Sequence, residues 1–156
     1  MDKKLNSNFN YVLTISLVYR KNKNFNAYPI TIMDGKLPSL YPYADKKNMY
    51  TLTHSDYTHI KKFKDFSKLE KYKTKIKIKT VSKIRHKMEN DMTFFFPNFK
   101  KIFKYSGYFL SYKVLPNSNS ARRSTFIEKK GNLISCTSPK IGNIFSLESY
   151  IKRIIK

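Results

Sequence analysis

The sequence predicts an α+β fold: a mostly antiparallel sheet with one main helix packed on it and a second helix at the C-terminus. Apolar residues alternate with period two in several short runs, most clearly over residues 11–19. Residues 81–96 instead place apolar side chains every three or four positions, as an amphipathic helix does. The connections between the strand-like runs are short, which favours antiparallel pairing because parallel strands need long crossovers.

Length and composition are those of one folded domain. The 156 residues are 40% hydrophobic and 15% aromatic, with 12 Tyr, 12 Phe and no Trp, which argues against general disorder. Residues 1–10 are polar and Asn-rich and are predicted to form a flexible leader, with a single domain over residues 11–156. No apolar run approaches the roughly 20 residues that span a bilayer, and no signal peptide follows Met1, so we expect a cytoplasmic protein with no membrane span.

The formal charge of +22 allows two interpretations. Clustered cations favour nucleic-acid or other anionic partners, and residues 61–87 contain a dense strip of lysines. The chain is also rich in Lys, Asn, Ile, Phe and Tyr together, and only five of its 32 basic residues are Arg. Such a composition follows from AT-rich coding without any functional demand on the charge.

The N-terminal half is predicted to contain three strands, at residues 11–19, 28–33 and 49–54. Asp34 and Gly35 predict a turn into residues 36–41, where Pro38 and Pro42 indicate an edge strand or a loop because proline cannot donate to a ladder. The helix over 81–96 ends before Pro97, and residues 105–114 form a further strand.

A polar cluster follows the third strand, with His54, Asp56, Tyr57 and His59 in close sequence. His54 and Tyr57 are candidates to line a substrate pocket, where they would donate hydrogen bonds or a proton. The alternative is a structural loop with a packed Tyr. A metal site is not expected, because the sequence has no second His or Cys cluster to complete the ligand set.

The C-terminal third reads as a strand, a Gly131-Asn132 turn, a second strand and a loop that opens into the terminal helix. Cys136 lies on the second strand and is expected to be a small packed residue. Backbone N–H groups are unpaired at a helix start, so the loop at residues 138–143 is the expected contact for an anion or an electron-rich ring edge.

Residue chemistry alone does not name a reaction. The chain has four glycines, too widely spaced for a G-x-G-x-x-G motif, and it has no G-x-S-x-G elbow. A basic α+β domain remains, with a helix-start loop that follows Arg122 and Arg123 in the chain.

Three stretches nevertheless resemble the C-terminal, substrate-side part of FAD-dependent oxidoreductases of the D-amino-acid-oxidase and glycerol-3-phosphate-dehydrogenase type. They are residues 30–42 with 50–54, residues 88–97 running into 105–113, and residues 122–151, in the order that the family has. The resemblance implies FAD as cofactor, a small anionic amine or alcohol as substrate, and a nucleotide-binding half that this sequence does not contain. If the chain is a split subunit, that half would be separately encoded.

The resemblance also implies roles for residues. The closing loop faces the pyrimidine edge of the flavin in that family, which corresponds here to Ser138, Lys140, Ile141, Gly142 and Asn143. Pro139 stands where the family has a glycine, which removes one N–H donor. The resemblance implies that Arg122 or Arg123 binds the anionic group of the substrate.

Two alternatives to a fragment or split subunit of such an enzyme stay open: a basic nucleic-acid-binding domain, or a non-catalytic remnant that keeps only the fold.

Overall fold

The computed structural model describes residues 9–22, 24–26, 28–35, 37–44, 46–116, 126–137 and 141–155. They belong to two compact units, Met1–Leu115 and Pro116–Lys156. Residues 1–8 of the predicted leader lie outside the described residues, whereas Phe9 and Asn10 are already buried in the first strand. The α+β class and the mostly antiparallel sheet are confirmed.

Strand β1 (Phe9–Lys21) is the centre of a six-stranded sheet. β4 (Met49–His54) pairs with its second half and β5 (His59–Phe63) with its first half, so that Leu17 faces Leu52 and Tyr11 faces Phe63. Both run antiparallel to β1, so residues 49–63 follow one edge of β1 with residues 55–58 looped out between them. β6 (Phe103–Pro116) also pairs with β1 and takes the other edge.

The outer part of the sheet is formed by β3 (Pro38–Pro42), which pairs antiparallel with β4. β2 (Ile30–Thr31) adds a two-residue strand beyond it, with Ile30 opposite Leu40. The expected edge strand or loop at residues 36–41 is therefore a strand between two neighbours. The two prolines are tolerated because they stand at its ends.

Three helices follow in the first unit: α1 (Phe66–Lys73), α2 (Ile78–Phe95) and α3 (Phe99–Ile102). α1 begins after Asp65, whose carboxylate accepts a hydrogen bond of 2.7 Å from the N–H of Ser67, a regular N-cap. α2 begins at Ile78 rather than at Val81 and, as the sequence predicts, ends just before Pro97.

The main core lies between α2 and one face of the sheet. Ile15, Leu17 and Tyr19 of β1 are fully buried there. Their partners from the helices and neighbouring strands are also buried, and comprise Leu40, Tyr50, Leu52, Val81, Met88, Met92, Phe99 and Phe103. Leu69 of α1 closes a smaller cluster with Tyr11 and Leu13. α2 is thus the main helix that the sequence predicts.

The second unit contains the antiparallel hairpin of β7 (Phe126–Lys130) and β8 (Leu133–Thr137). Gly131 adopts φ 56° in the turn, a conformation that glycine reaches without steric cost. A 3₁₀ turn at Ile141–Asn143 leads directly into α4 (Ile144–Ile155). The predicted order of strand, turn, strand and terminal helix is confirmed. No helix among the described residues is long and apolar enough to cross a membrane.

Replacing Met92 by Ala should lower the free energy of unfolding by about 2–5 kcal/mol, because Met92 is fully buried and its truncation leaves a cavity. Ile78→Ala in the same helix is the matched control, since the Ile78 side chain is 81% exposed, and it should change stability by less than about 0.5 kcal/mol. Urea unfolding followed by circular dichroism measures both variants. Equal losses would contradict the packing of α2 on the sheet.

Candidate functional site

The looped-out segment between β4 and β5 is closed by hydrogen bonds at its base. The N–H of His54 donates to Thr58 Oγ1 at 2.7 Å, and the N–H of Thr58 donates back to the carbonyl of His54 at 3.1 Å. The N–H of Ile15 in β1 donates to the Thr58 carbonyl at 2.9 Å. Residues 55–58 are therefore held as a fixed protrusion on the edge of β1.

His54 joins this segment to α2. Its Nδ1 accepts from the N–H of Asp56 at 3.0 Å, so the neutral ring carries its proton on Nε2. Nε2 lies 3.2 Å from Asp91 Oδ2, with the His54 side chain fully buried. The two atoms are within ion-pair distance but are not aligned as a hydrogen bond. Buried polar groups need such partners, so this contact stabilises the approach of β4 to α2.

The structure brings the predicted pair His54 and Tyr57 together, with their rings stacked at 4.5 Å between centroids. The ammonium of Lys87 lies over the Tyr57 ring at 5.2 Å. In this conformation Tyr57 is half-buried, and it alone of the two rings has a surface that a substrate could touch. Their role in substrate binding stays a prediction.

His59 contacts a lysine of β6. Its Nε2 lies 3.3 Å from the Lys113 ammonium. Among the described residues, no group of three or more His, Cys, Asp or Glu side chains is arranged to hold a metal ion.

A second polar cluster, which the sequence did not reveal, surrounds Glu89 of α2. The Tyr19 hydroxyl donates to Glu89 Oε1 at 2.9 Å, and Arg85 Nε donates to the same oxygen at 2.7 Å. Lys100 Nζ lies 3.7 Å from Oε2. The Arg85 guanidinium also stacks on Tyr105, 4.1 Å from the ring centroid. The sequence offered one indication of this cluster: Glu89 directly follows Met88, which lies on the apolar side of the predicted helix.

These contacts shift protonation equilibria. Burial, and then the negative charge of Glu89, raises the pKa of Tyr19 far above its ordinary value, so the phenol stays protonated in the folded protein. The hydrogen bond to Glu89 raises the pKa of Arg85. Burial raises the pKa of Tyr105 as well. The carboxylate is thus compensated by two cations and a hydroxyl, as a buried charge must be.

The predicted flavin contact is described in part. Ile141, Gly142 and Asn143 form the 3₁₀ turn before α4, with Gly142 exposed and Asn143 half-buried. The N–H groups of the first helical turn therefore begin here, as predicted. Arg122, Arg123, Ser138 and Lys140 lie outside the described residues. Cys136 is exposed on β8, so the expectation that it is packed is wrong: its hairpin leaves that position open.

The basic strip is spread over β5, α1 and α2. Lys61 packs its stem against aromatic rings, with the ammonium 5.6 Å from the Phe63 centroid and 4.8 Å from that of Tyr72. This is how lysines on a solvated face cover apolar surface.

The Tyr19 phenol should make stability depend on alkaline pH. The folded pKa lies above the unfolded value of about 10, so the stabilisation is complete below pH 10 and is lost as the pH rises beyond it. Tyr19→Phe should lower the free energy of unfolding at pH 8, because the hydrogen bond to Glu89 is lost. Above pH 10 the free energy of unfolding of this variant should fall less steeply than that of the unmodified chain. Urea unfolding at pH 8–11 measures both slopes. Identical slopes would contradict the raised pKa.

Comparison with known proteins gives one relationship. The sequence is 29% identical over 145 residues to the FAD-dependent monooxygenase FPY4 of Fusarium mangiferae, a match that covers 93% of this chain and 38% of the relative. The chain therefore spans less than half the length of that relative. No protein-family model and no solved structure matches the sequence. The similarity supports a relationship to FAD-dependent oxidoreductases.

Proposed function

We propose that this chain is the substrate-side part of a FAD-dependent oxidoreductase, and that it contributes a substrate-binding sheet and a C-terminal flavin-contact loop. The similarity to a FAD-dependent monooxygenase along nearly the whole chain carries the proposal. The narrower type, that of D-amino-acid oxidase and glycerol-3-phosphate dehydrogenase, rests on the order of the sequence motifs alone. The relative's name as a monooxygenase adds no support for that type.

The start of α4 fits one part of FAD, the pyrimidine edge of the ring. The N–H groups in the first turn of a helix have no partner within the helix, and the helix dipole is positive at that end. The first turn of the 12-residue α4 follows Ile141–Asn143 directly. When bound, FAD would supply the electron acceptor for substrate oxidation. The N–H groups at the start of α4, with Lys140 preceding them in sequence, would stabilise negative charge at the ring edge.

The described residues do not fit the pyrophosphate and adenosine parts of FAD. Those parts bind at a Gly-rich turn between a parallel strand and a helix, whereas every strand pair with a described register here is antiparallel. We therefore propose a partner, a separately encoded nucleotide-binding half that would hold most of the cofactor.

Substrate would be bound by this chain's cations. Arg122 or Arg123, which precede β7 in sequence, would hold a carboxylate or phosphate through paired N–H donors. Tyr57 of the first unit, whose ring stacks on His54, is proposed separately as a residue that contacts substrate. The proposed substrate class is a small anionic amine or alcohol.

The isolated chain should purify colourless, because its described residues do not supply the contacts that hold most of FAD. A co-encoded nucleotide-binding polypeptide should restore stoichiometric flavin, measured by absorbance near 450 nm on the order of one flavin per complex. A yellow, stoichiometrically flavinated preparation of the chain alone would contradict the need for a second half.

In the restored complex, Lys140→Gln and the paired change of Arg122→Gln with Arg123→Gln should each slow substrate-dependent flavin reduction by about tenfold or more, since each removes a proposed charged hydrogen bond. Lys152→Gln and Arg153→Gln are matched controls at the opposite end of α4 and should leave the rate within about twofold. Stopped-flow absorbance measures all four. Unchanged reduction in the first pair would remove the site assignment and leave the fragment proposal standing.

A further inference from the structure

The face of the main sheet turned away from α2 carries cations and hydroxyls around β1. Val12 and Thr14 lie on this face, because odd-numbered residues of β1 fill the core against α2 and successive residues alternate. Lys62 stands opposite Val12 and His59 opposite Thr14, so both share the face. Lys62 and His59 are exposed, whereas Thr14 is buried beneath them.

β6 completes the cluster from the other edge of β1. Ser111 Oγ lies 2.7 Å from Thr14 Oγ1, which fixes both hydroxyls between the strands. Lys113, two residues further along β6, places its ammonium 3.3 Å from His59 Nε2, across β1. The ring nitrogen thus accepts from Lys113 and holds its ammonium group on the face that carries the hydroxyl pair.

This face carries no opposing charge from its own strands. None of the six strands of the sheet contains an Asp or a Glu. The described acids of the first unit lie instead in α1, α2 and the connections between elements, for example Glu70, Glu89 and Asp91. An anion that approaches Lys113 and Lys62 from this side therefore meets no carboxylate on the sheet.

We propose that Lys113, Lys62 and the Thr14–Ser111 hydroxyl pair form a binding site for the oxyanion of a small molecule, a carboxylate or a phosphate. An ammonium group has three donors, and the contact with His59 uses one of them. The others, with the adjacent Ser111 hydroxyl, supply convergent donors to an oxyanion. His59 is a positioning residue. The site uses none of the residues assigned to flavin or substrate above and does not depend on that function.

Anion binding through the net charge of +22 and anion binding at a fixed site respond differently to lysine substitutions. Long-range attraction depends on net charge, so the loss of any exposed lysine would weaken it equally. A site with a held ammonium group depends on Lys113 far more than on a distant lysine. Lys83, exposed on α2, provides the comparison because its replacement removes the same charge.

The test is a titration of the full chain with inorganic phosphate and, separately, with acetate, followed by NMR of the backbone amides and the His59 ring. We expect saturable shifts at Ser111, Lys113 and His59. Lys113→Gln should weaken the binding by about tenfold or more, as loss of a charged hydrogen bond does, whereas Lys83→Gln should leave it within about twofold. Ser111→Ala, which retains the full charge, should also weaken it.

The tighter of the two anions identifies the ligand class as phosphate or carboxylate. Shifts that grow linearly with either salt without saturation would overturn the proposal, as would equal weakening by Lys113→Gln and Lys83→Gln. The amide spectrum of each variant checks that it retains the fold.

Discussion

The first unit depends on the burial of β1, whose odd-numbered residues from Phe9 to Tyr19 are all buried. Strands pair along both of its edges, and its odd-numbered side chains form the floor of the core on which α1 and α2 pack. A strand in this position cannot shift by one residue, because such a shift would move Leu13, Ile15 and Leu17 to the opposite face. The register of β1 therefore fixes the positions of the looped-out segment, of the core and of the sheet face turned away from α2.

Two buried polar contacts then attach α2 to that sheet at set points. Glu89 reaches Tyr19 of β1, and Asp91 reaches His54 at the end of β4. Apolar packing alone tolerates sliding, whereas a buried carboxylate must meet its partners. These contacts account for the buried surroundings of His54, which the sequence presents as a pocket residue. Tyr57, by contrast, is only half-buried.

Local patterns in the sequence predict the fold class, β1, β4, the end of α2 and the order of elements in the second unit. Helix α1 could not be recognised in the sequence, because the many lysines in residues 61–80 obscure the helical spacing of its apolar residues. Asp65 was nevertheless a usable N-cap signal. The looped-out segment and the partners of Glu89 could not be predicted, since they depend on pairing between residues distant in sequence. The same holds for Lys113, which meets His59 only across β1.

The most direct test of flavin contact is the amide chemical shift of Ile141, Gly142 and Asn143 in the complex restored with a nucleotide-binding half. Their 15N–1H signals should differ between the oxidised and reduced cofactor, because negative charge at the ring edge would polarise N–H groups that face it. Gly131 and Asn132, in the hairpin turn of the same unit, serve as internal reference and should not move. Shifts at residues 141–143 that equal those of the hairpin turn would contradict a flavin at the start of α4.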